Sequence, residues 1–172
     1  MELKIEIRLI GSEETEHLNN ALNLVNSFAE KGFMLSQSYE ALQNLATLQR
    51  LVVALLDDRI VGVAGITFDY GDGLLEFGSW AVENEYQREG VGKMVLDFFL
   101  RQYDTAKLIA LGNSNSAPIF RYLGARELCE SDVPSIVFGP CETCNCNGKK
   151  DLSPGRRCVD SIFDLTVLRP IS

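Results

Sequence analysis

The chain has 172 residues, 46% hydrophobic and 23% charged, which is typical of a folded protein, and this length predicts a single domain over residues 1–172. Its formal net charge of −8 argues against binding to nucleic acid or to an anionic membrane. No apolar run approaches the ~18 residues of a membrane span, and the alternating start Met1–Arg8 predicts a strand instead of a signal peptide. We therefore expect a cytoplasmic protein without nucleic-acid or membrane partners, which leaves enzymes and binding modules open.

The first half of the chain predicts two helices followed by a β-hairpin. Apolar residues recur every three and four positions in the first helix, which we expect Ser12 to cap and Gly32 to end. A shorter helix opens at Ser38. Leu51–Leu56 then predicts a buried strand, and a short polar turn leads to its antiparallel partner, Ile60–Phe68.

The second half predicts a β-α-β unit and two further strands. A helix from Val91 separates the strands Leu74–Val82 and Lys107–Leu111, so these two strands are expected to be parallel. Beyond a short helix, Val133–Phe138 and Ile162–Leu168 are predicted as strands flanking a cysteine-rich loop at 139–158. The fold class is therefore α+β, with a mixed central sheet of about seven strands and about four helices.

Four cysteines in that loop have the spacing C-x2-C-x-C-x11-C and form a candidate metal site: Cys141, Cys144, Cys146 and Cys158. Thiolates are soft ligands that bind Zn²⁺ well, and four of them would make a structural zinc site with no activated water. The single residue between the second and third cysteine is unusual for two ligands of one ion. Reduced thiols and a redox pair therefore remain as alternatives.

A glycine-containing turn, Gln87–Gly92, lies between a predicted strand and a predicted helix. The first N–H groups of a helix lack partners within it, and two glycines let a ligand approach them, so the turn suits a phosphate or pyrophosphate. Lys93 adds a positive charge. A Walker loop is excluded because it requires Ser or Thr at Met94, and a dinucleotide fingerprint because it requires Gly at Val95.

The remaining pattern, Q-x-x-G-x-G, resembles the acyl-coenzyme-A loop of the GNAT superfamily of N-acetyltransferases. Glu76–Val82 is similar to the fourth strand of that family, and Asn113–Ala125 to its N-x-x-A-x-x-x-Y-x-x-x-G-F segment. The resemblance covers roughly residues 7–125. The stretch Leu35–Leu42 and the cysteine-containing tail resemble bacterial N-acetylglutamate-synthase-like members more specifically.

The resemblance implies acetyl-CoA as cosubstrate, held where parallel strands four and five splay apart. The pantetheine would pair with the fourth strand at Trp80, Ala81 and Val82. The pyrophosphate would lie on the turn and the helix start. The remaining cofactor-binding residues that the resemblance implies are Gln87, Arg88, Glu89, Gly90, Val91, Gly92, Lys93, Asn113 and Phe120.

Acetyl transfer to an amine needs a base, because a free amine is mostly protonated at neutral pH. Glu76 is the candidate, and regular strand alternation predicts that it shares a face with Trp80 and Val82. The alternative is a structural glutamate in an ion pair or facing solvent. The main-chain N–H of Val82 would meet the oxyanion, by family analogy.

Two positions depart from the pattern of the family. Phe120 occupies the position of the tyrosine that protonates the departing thiolate in many members, and Tyr122 is expected on another face of its helix. Gln37 stands where the glutamate-synthase-like members have arginine, which weakens the case for glutamate as acceptor.

The function predicted is transfer of an acetyl group to the primary amine of a small molecule, with an amino acid such as glutamate as one candidate. The alternatives are a non-catalytic acyl-CoA-binding module, and a protein or polyamine acetyltransferase that uses the cysteine loop for docking. A homodimer stays open as the assembly.

Overall fold

A computed structural model describes residues 4–139 and 160–170, in which seven strands and four α-helices are found. The strands are β1 (Ile5–Leu9), β2 (Leu51–Leu56), β3 (Arg59–Asp69), β4 (Leu74–Val82), β5 (Lys107–Gly112), β6 (Arg126–Leu128) and β7 (Ser161–Asp164). The helices are α1 (Thr15–Ala29), α2 (Tyr39–Thr47), α3 (Val91–Gln102) and α4 (Ala117–Leu123). None of these helices is long and apolar enough to cross a membrane.

The strands form one mixed sheet in the order β1-β2-β3-β4-β5-β7-β6. β4 and β5 are parallel, as the intervening helix α3 predicts. Their ladder contains three pairs and ends where Glu76 meets Ile109, whereas β5 goes on pairing with β7 as far as Gly112. The predicted fold class and the parallel arrangement are thereby confirmed, and the splaying of the two strands stays a prediction.

Two compact units can be distinguished, residues 1–68 with 77–104 and residues 69–76 with 105–172. The core of the first unit joins α1 and α2 to β2 and β3, with Leu18, Val25, Leu42, Leu51 and Val63 fully buried. The core of the second unit gathers Leu74, Ile109, Val133, Val137, Phe138 and Ile162. The prediction of one domain over 1–172 stays a prediction.

The N-terminus of α1 differs from the expectation, because Ser12 does not cap it. Glu14 holds the N-cap position, and its carboxylate accepts hydrogen bonds from the Gly11 N–H (2.8 Å) and from the Arg8 guanidinium (2.8 and 3.0 Å). The Arg8 hydrogen bonds, the largest influence, hold the pKa of Glu14 at about 2. The cap of α2 is as predicted, since Ser38 Oγ accepts from the Ala41 N–H at 3.1 Å.

The C-terminal strand assignment is wrong for one element and too long for another, because the predicted strand Ile162–Leu168 ends at Asp164 and Thr166–Leu168 forms a 3₁₀ helix. Val133–Phe138 is not a strand: Ser135–Phe138 forms a 3₁₀ helix that buries Val137 and Phe138. The strand that pairs with β7 on the side away from β5 is instead Arg126–Leu128. Pro134 supplies no N–H to a ladder and is common at the start of such turns, which explains why an apolar run here does not extend.

Candidate active site

A residue in an unusual backbone conformation interrupts β4. Ser79 has φ +50°, in the left-handed region that a non-glycine residue rarely adopts. Phe77 and Trp80, three residues apart, therefore share a face, with ring centroids 5.4 Å apart, and Phe77 also contacts Phe99 of α3. Neighbouring strand residues point to opposite faces, so Glu76 faces away from Phe77 and from Trp80. The predicted common face of Glu76 and Trp80 is wrong, because the alternation is broken at Ser79.

The start of α3 lies closely against Trp80. A Cβ atom added to Gly92 would come within 2.9 Å of the Trp80 indole, so any larger residue here would require the indole to move. Gly90 is different: it has open space around it, but its φ of +83° favours glycine. One glycine is therefore required by packing and the other by backbone conformation.

The turn before α3 presents a group of main-chain N–H donors. Arg88 has φ +70°, so two left-handed residues, Arg88 and Gly90, enclose Glu89, an arrangement typical of anion-binding nests. Met94 N–H donates to Gly90 O at 3.0 Å. Within the described residues, no hydrogen bond is formed by the main-chain N–H groups of Arg88, Gly90, Val91, Gly92 and Lys93. Five donors concentrated at the positive end of a helix dipole can bind an anion such as a diphosphate.

Two polar side chains predicted to bind the cofactor are engaged with the protein itself. Gln87 Nε2 donates to the carbonyl of Val82 (3.0 Å) and to Asn84 Oδ1 (3.1 Å), which ties the turn to the end of β4. Lys93 Nζ lies 2.6 Å from Asp97 Oδ2, one helical turn along. An anion at this turn would therefore be bound mainly by main-chain N–H groups, because the charge of Lys93 is already paired with Asp97.

Glu76 lies on the part of β4 that pairs with β5. It is 9% exposed, and the Tyr70 hydroxyl donates a hydrogen bond to its Oε2. Glu76 and Val82 both belong to β4 but fall in different compact units, and the prediction that both act on one acetyl group stays a prediction. The sequence analysis did not single out Tyr70, since no motif includes it.

The last two predicted cofactor residues stand at α4. Asn113 Oδ1 accepts from the N–H groups of Asn115 (2.9 Å) and Ser116 (3.1 Å), so its side chain caps the approach to that helix. Phe120 is 3% exposed and its ring centroid lies 5.2 Å from that of Phe163. Tyr122 is 89% exposed, which agrees with its expected position on another face of the helix.

The first unit contains an open groove of about 530 Å³ beside the residues that follow β4. Its lining combines amides, a hydroxyl and charges of both signs: Asn20, Asn23, Ser27, Lys31, Arg59, Glu83 and Glu85, with Leu24, Phe28, Ile60 and Asn84. A volume of this size is typical of small-molecule sites. Sequence analysis missed the groove because its walls come from three separate segments.

The predicted zinc ligands, Cys141, Cys144, Cys146 and Cys158, lie outside the described residues, and that prediction stays untested. In residues 4–139 and 160–170 there is no group of three or more His, Cys, Asp or Glu residues arranged to hold a metal ion.

The family model of the acetyltransferase (GNAT) family matches residues 18–125, most of the chain. The chain therefore belongs to this family. The alternative of a non-catalytic acyl-CoA-binding module stays open.

Solved structures of several other proteins are similar in fold. N-acetylglutamate synthase from Neisseria gonorrhoeae, complexed with coenzyme A and N-acetyl-glutamate, is 20% identical with a TM-score of 0.74; the match covers 95% of this chain and 35% of that one. Rv2747 from Mycobacterium tuberculosis, in complex with CoA, is 20% identical (TM-score 0.66; 92% and 96% covered). An aminoglycoside acetyltransferase from an uncultured soil metagenomic sample, in complex with sisomicin, is 19% identical (TM-score 0.54; 69% and 84% covered). The chain thus spans about a third of the length of the gonococcal synthase.

Proposed function

We propose that this enzyme transfers the acetyl group of acetyl-CoA to the primary amine of a small molecule, with amino acids as the first acceptors to test. The observation that supports acetyl-CoA as the cosubstrate is made in the turn before α3. Five main-chain N–H groups between Arg88 and Lys93 form no hydrogen bond within the described residues. They match a pyrophosphate in charge and in number of acceptors. The end of β4, anchored to this turn by Gln87, holds the pantetheine.

The groove of the first unit supports a small polar acceptor. Lys31 and Glu85 bring opposite charges to its lining, and Asn20, Asn23 and Ser27 offer neutral hydrogen-bonding groups. Such a lining suits a zwitterion such as an amino acid better than an apolar amine. Glu83 follows β4 directly, so the groove adjoins the strand end that binds the cosubstrate in this proposal.

Glutamate is one acceptor among several in this proposal. The main chain of Gln37 is held on both sides by Asn26, whose side chain accepts from the Gln37 N–H (2.9 Å) and donates to its carbonyl (3.1 Å). A glutamine in this position offers a neutral amide where an arginine would offer a fork for a carboxylate. Neutral amino acids therefore belong in the same acceptor panel as glutamate.

Glu76 is the base that removes a proton from the amine, acting through water. The thiolate of coenzyme A is a tolerable leaving group without a proton donor. Phe120 at the usual tyrosine position is therefore compatible with transfer.

The test is an acceptor screen that follows release of free coenzyme A, with amino acids, polyamines and aminoglycosides offered in parallel. For the best acceptor, Glu76→Gln should lower kcat about 10²-fold, with the acetyl-CoA Kd unchanged. Glu16→Gln, an exposed glutamate on α1, is the matched control and should leave the rate unaltered. A full rate in Glu76→Gln would remove the base from the proposal, and a screen without any acceptor would remove the small-molecule assignment.

A further inference from the structure

The loop between β3 and β4 places a tyrosine beside the proposed base. The Tyr70 hydroxyl donates to Glu76 Oε2. The main chain of this loop is bonded at successive positions: Tyr70 N–H donates to Leu74 O (2.9 Å), and Leu74 N–H donates to Gly71 O (2.9 Å). Asp69 Oδ1 accepts from the Gly71 N–H at 3.0 Å. Tyr70 is therefore held in place by its own backbone, independently of the bond to Glu76.

The ring of Tyr70 is also fixed by packing. It contacts the apolar core of the second unit, to which Leu74 and Ile109 belong. Because both the backbone and the ring are restrained, little conformational entropy remains to be lost when the hydroxyl meets the carboxylate. A preorganised donor of this kind restricts the rotamers of its acceptor.

Two charged side chains on this face of the sheet, Asp164 and Arg126, pair with one another, and Lys107 of β5 lies on the same face, opposite Leu74. Glu76 is directly opposite Ile109 on β5, and Ile109 is opposite Asp164 on β7, so the two carboxylates are two strands apart on one face. Asp164 Oδ2 lies 2.6 Å from Arg126 Nη2 on β6. Ile109, fully buried, separates that ion pair from Glu76. Within the described residues, Tyr70 is a polar group that the structure places in direct contact with the proposed base.

We propose that Tyr70 is a positioning residue for the acetyl transfer: its hydroxyl orients the Glu76 carboxylate and favours the charged form that accepts the proton. This inference rests on the proposed function, in which Glu76 is the base. Glu76 is only 9% exposed, and such burial favours the neutral acid. A hydrogen bond donated to a carboxylate favours the anion, so the Tyr70 hydroxyl counteracts the effect of burial. In this scheme Tyr70 contacts the base and touches neither the acetyl group nor the amine.

Tyr70→Phe tests the proposal because it keeps the packed ring and removes the hydroxyl alone. With the acceptor found in the screen, we expect kcat to fall about tenfold, with the acetyl-CoA Kd and the midpoint of thermal unfolding close to wild type. The acidic limb of the kcat/KM profile should move to higher pH by about one unit, because the charged form loses a donor. Tyr122→Phe removes a hydroxyl from an 89% exposed tyrosine and is the matched control.

The double variant Tyr70→Phe/Glu76→Gln separates a positioning role from an independent one. If Tyr70 acts through Glu76, the double variant is no slower than Glu76→Gln alone. Two results overturn the role of Tyr70 and leave the proposed base intact. One is a double variant whose loss of kcat is the product of the two single losses. The other is a pH profile of kcat/KM for Tyr70→Phe that coincides with wild type while Glu76→Gln is slow. A full rate in Glu76→Gln overturns the base, and the role of Tyr70 with it.

Discussion

Replacing Gly90 by alanine tests whether the conformation of the turn before α3 determines cosubstrate affinity. Gly90 has φ +83° with no atom within 4 Å of an added Cβ, so alanine brings backbone strain without a collision. The strain of a left-handed alanine is about 1–2 kcal/mol. Gly32, after α1, has φ +75° and equally open space, so Gly32→Ala carries the same strain at a position outside the turn.

The two variants should therefore lose similar amounts of stability and differ in binding. Relief of strain at residue 90 rotates the main chain toward negative φ, which turns the N–H groups of residues 90 and 91 away from their present directions. Loss of one hydrogen bond to a charged phosphate is worth about 1.5–3 kcal/mol. We expect acetyl-CoA affinity to fall roughly 10- to 100-fold in Gly90→Ala and to stay at the wild-type level in Gly32→Ala.

Isothermal titration calorimetry with acetyl-CoA and urea unfolding of both variants provide the measurements. Equal losses of unfolding free energy show that the strain is matched. If Gly90→Ala then binds acetyl-CoA as tightly as Gly32→Ala, the main-chain N–H groups of this turn do not hold the pyrophosphate. The proposed cosubstrate site would have to be placed elsewhere.

Two further predictions concern stability. The pKa of Glu14 is lowered to about 2 from 4.5, so the stability it contributes is present above about pH 4.5 and is lost as the pH falls toward 2. The Arg8 and Glu14 side chains are 31% and 28% exposed, so after screening by solvent the ion pair contributes about 1–2 kcal/mol to the free energy of unfolding at pH 7. In urea unfolding, Glu14→Gln should be less stable than wild type by that amount at pH 7 and equally stable near pH 2. A stability difference that does not change with pH contradicts the assignment. Ser79→Gly should raise the free energy of unfolding by about 1 kcal/mol, since it relieves a left-handed serine whose buried Oγ has no partner among the described residues. Ser36 is an exposed serine with an ordinary φ, so Ser36→Gly should not raise the free energy of unfolding. Equal changes in the free energy of unfolding of the two variants would refute the strain at Ser79.

Much of the fold follows from local patterns. The helical periodicity before Gly32, the capping serine at residue 38 and the apolar run at 51–56 specify elements that the structure contains. These signals are local, because burial of one helix face or of a whole strand leaves its period in the sequence. Short segments are harder to predict. The apolar run Val133–Phe138 suits a strand or a 3₁₀ turn equally well, and the edge strand Arg126–Leu128 has little hydrophobic pattern to mark it.

The candidate site divides in the same way. The glycine turn of residues 87–92 can be recognised from sequence because its spacing carries a specific backbone requirement, and the structure has that turn at the start of α3. The direction of Glu76 could not be recognised, since alternation assumes a regular strand and Ser79 breaks it. The role of Gln87 in bonding the carbonyl of Val82 was equally hidden, since a motif states which residue is present and leaves its partner unstated.

The sequence by itself determined the order of the main elements, the parallel pair of strands and the position of the glycine-containing turn before α3, because each depends on residues that are neighbours along the chain. Only the tertiary structure decided that Tyr70 meets Glu76 and that three separated segments enclose a groove. Those contacts depend on the path of loops and on the conformation of a single residue in β4. No repeating hydrophobic pattern encodes either of them.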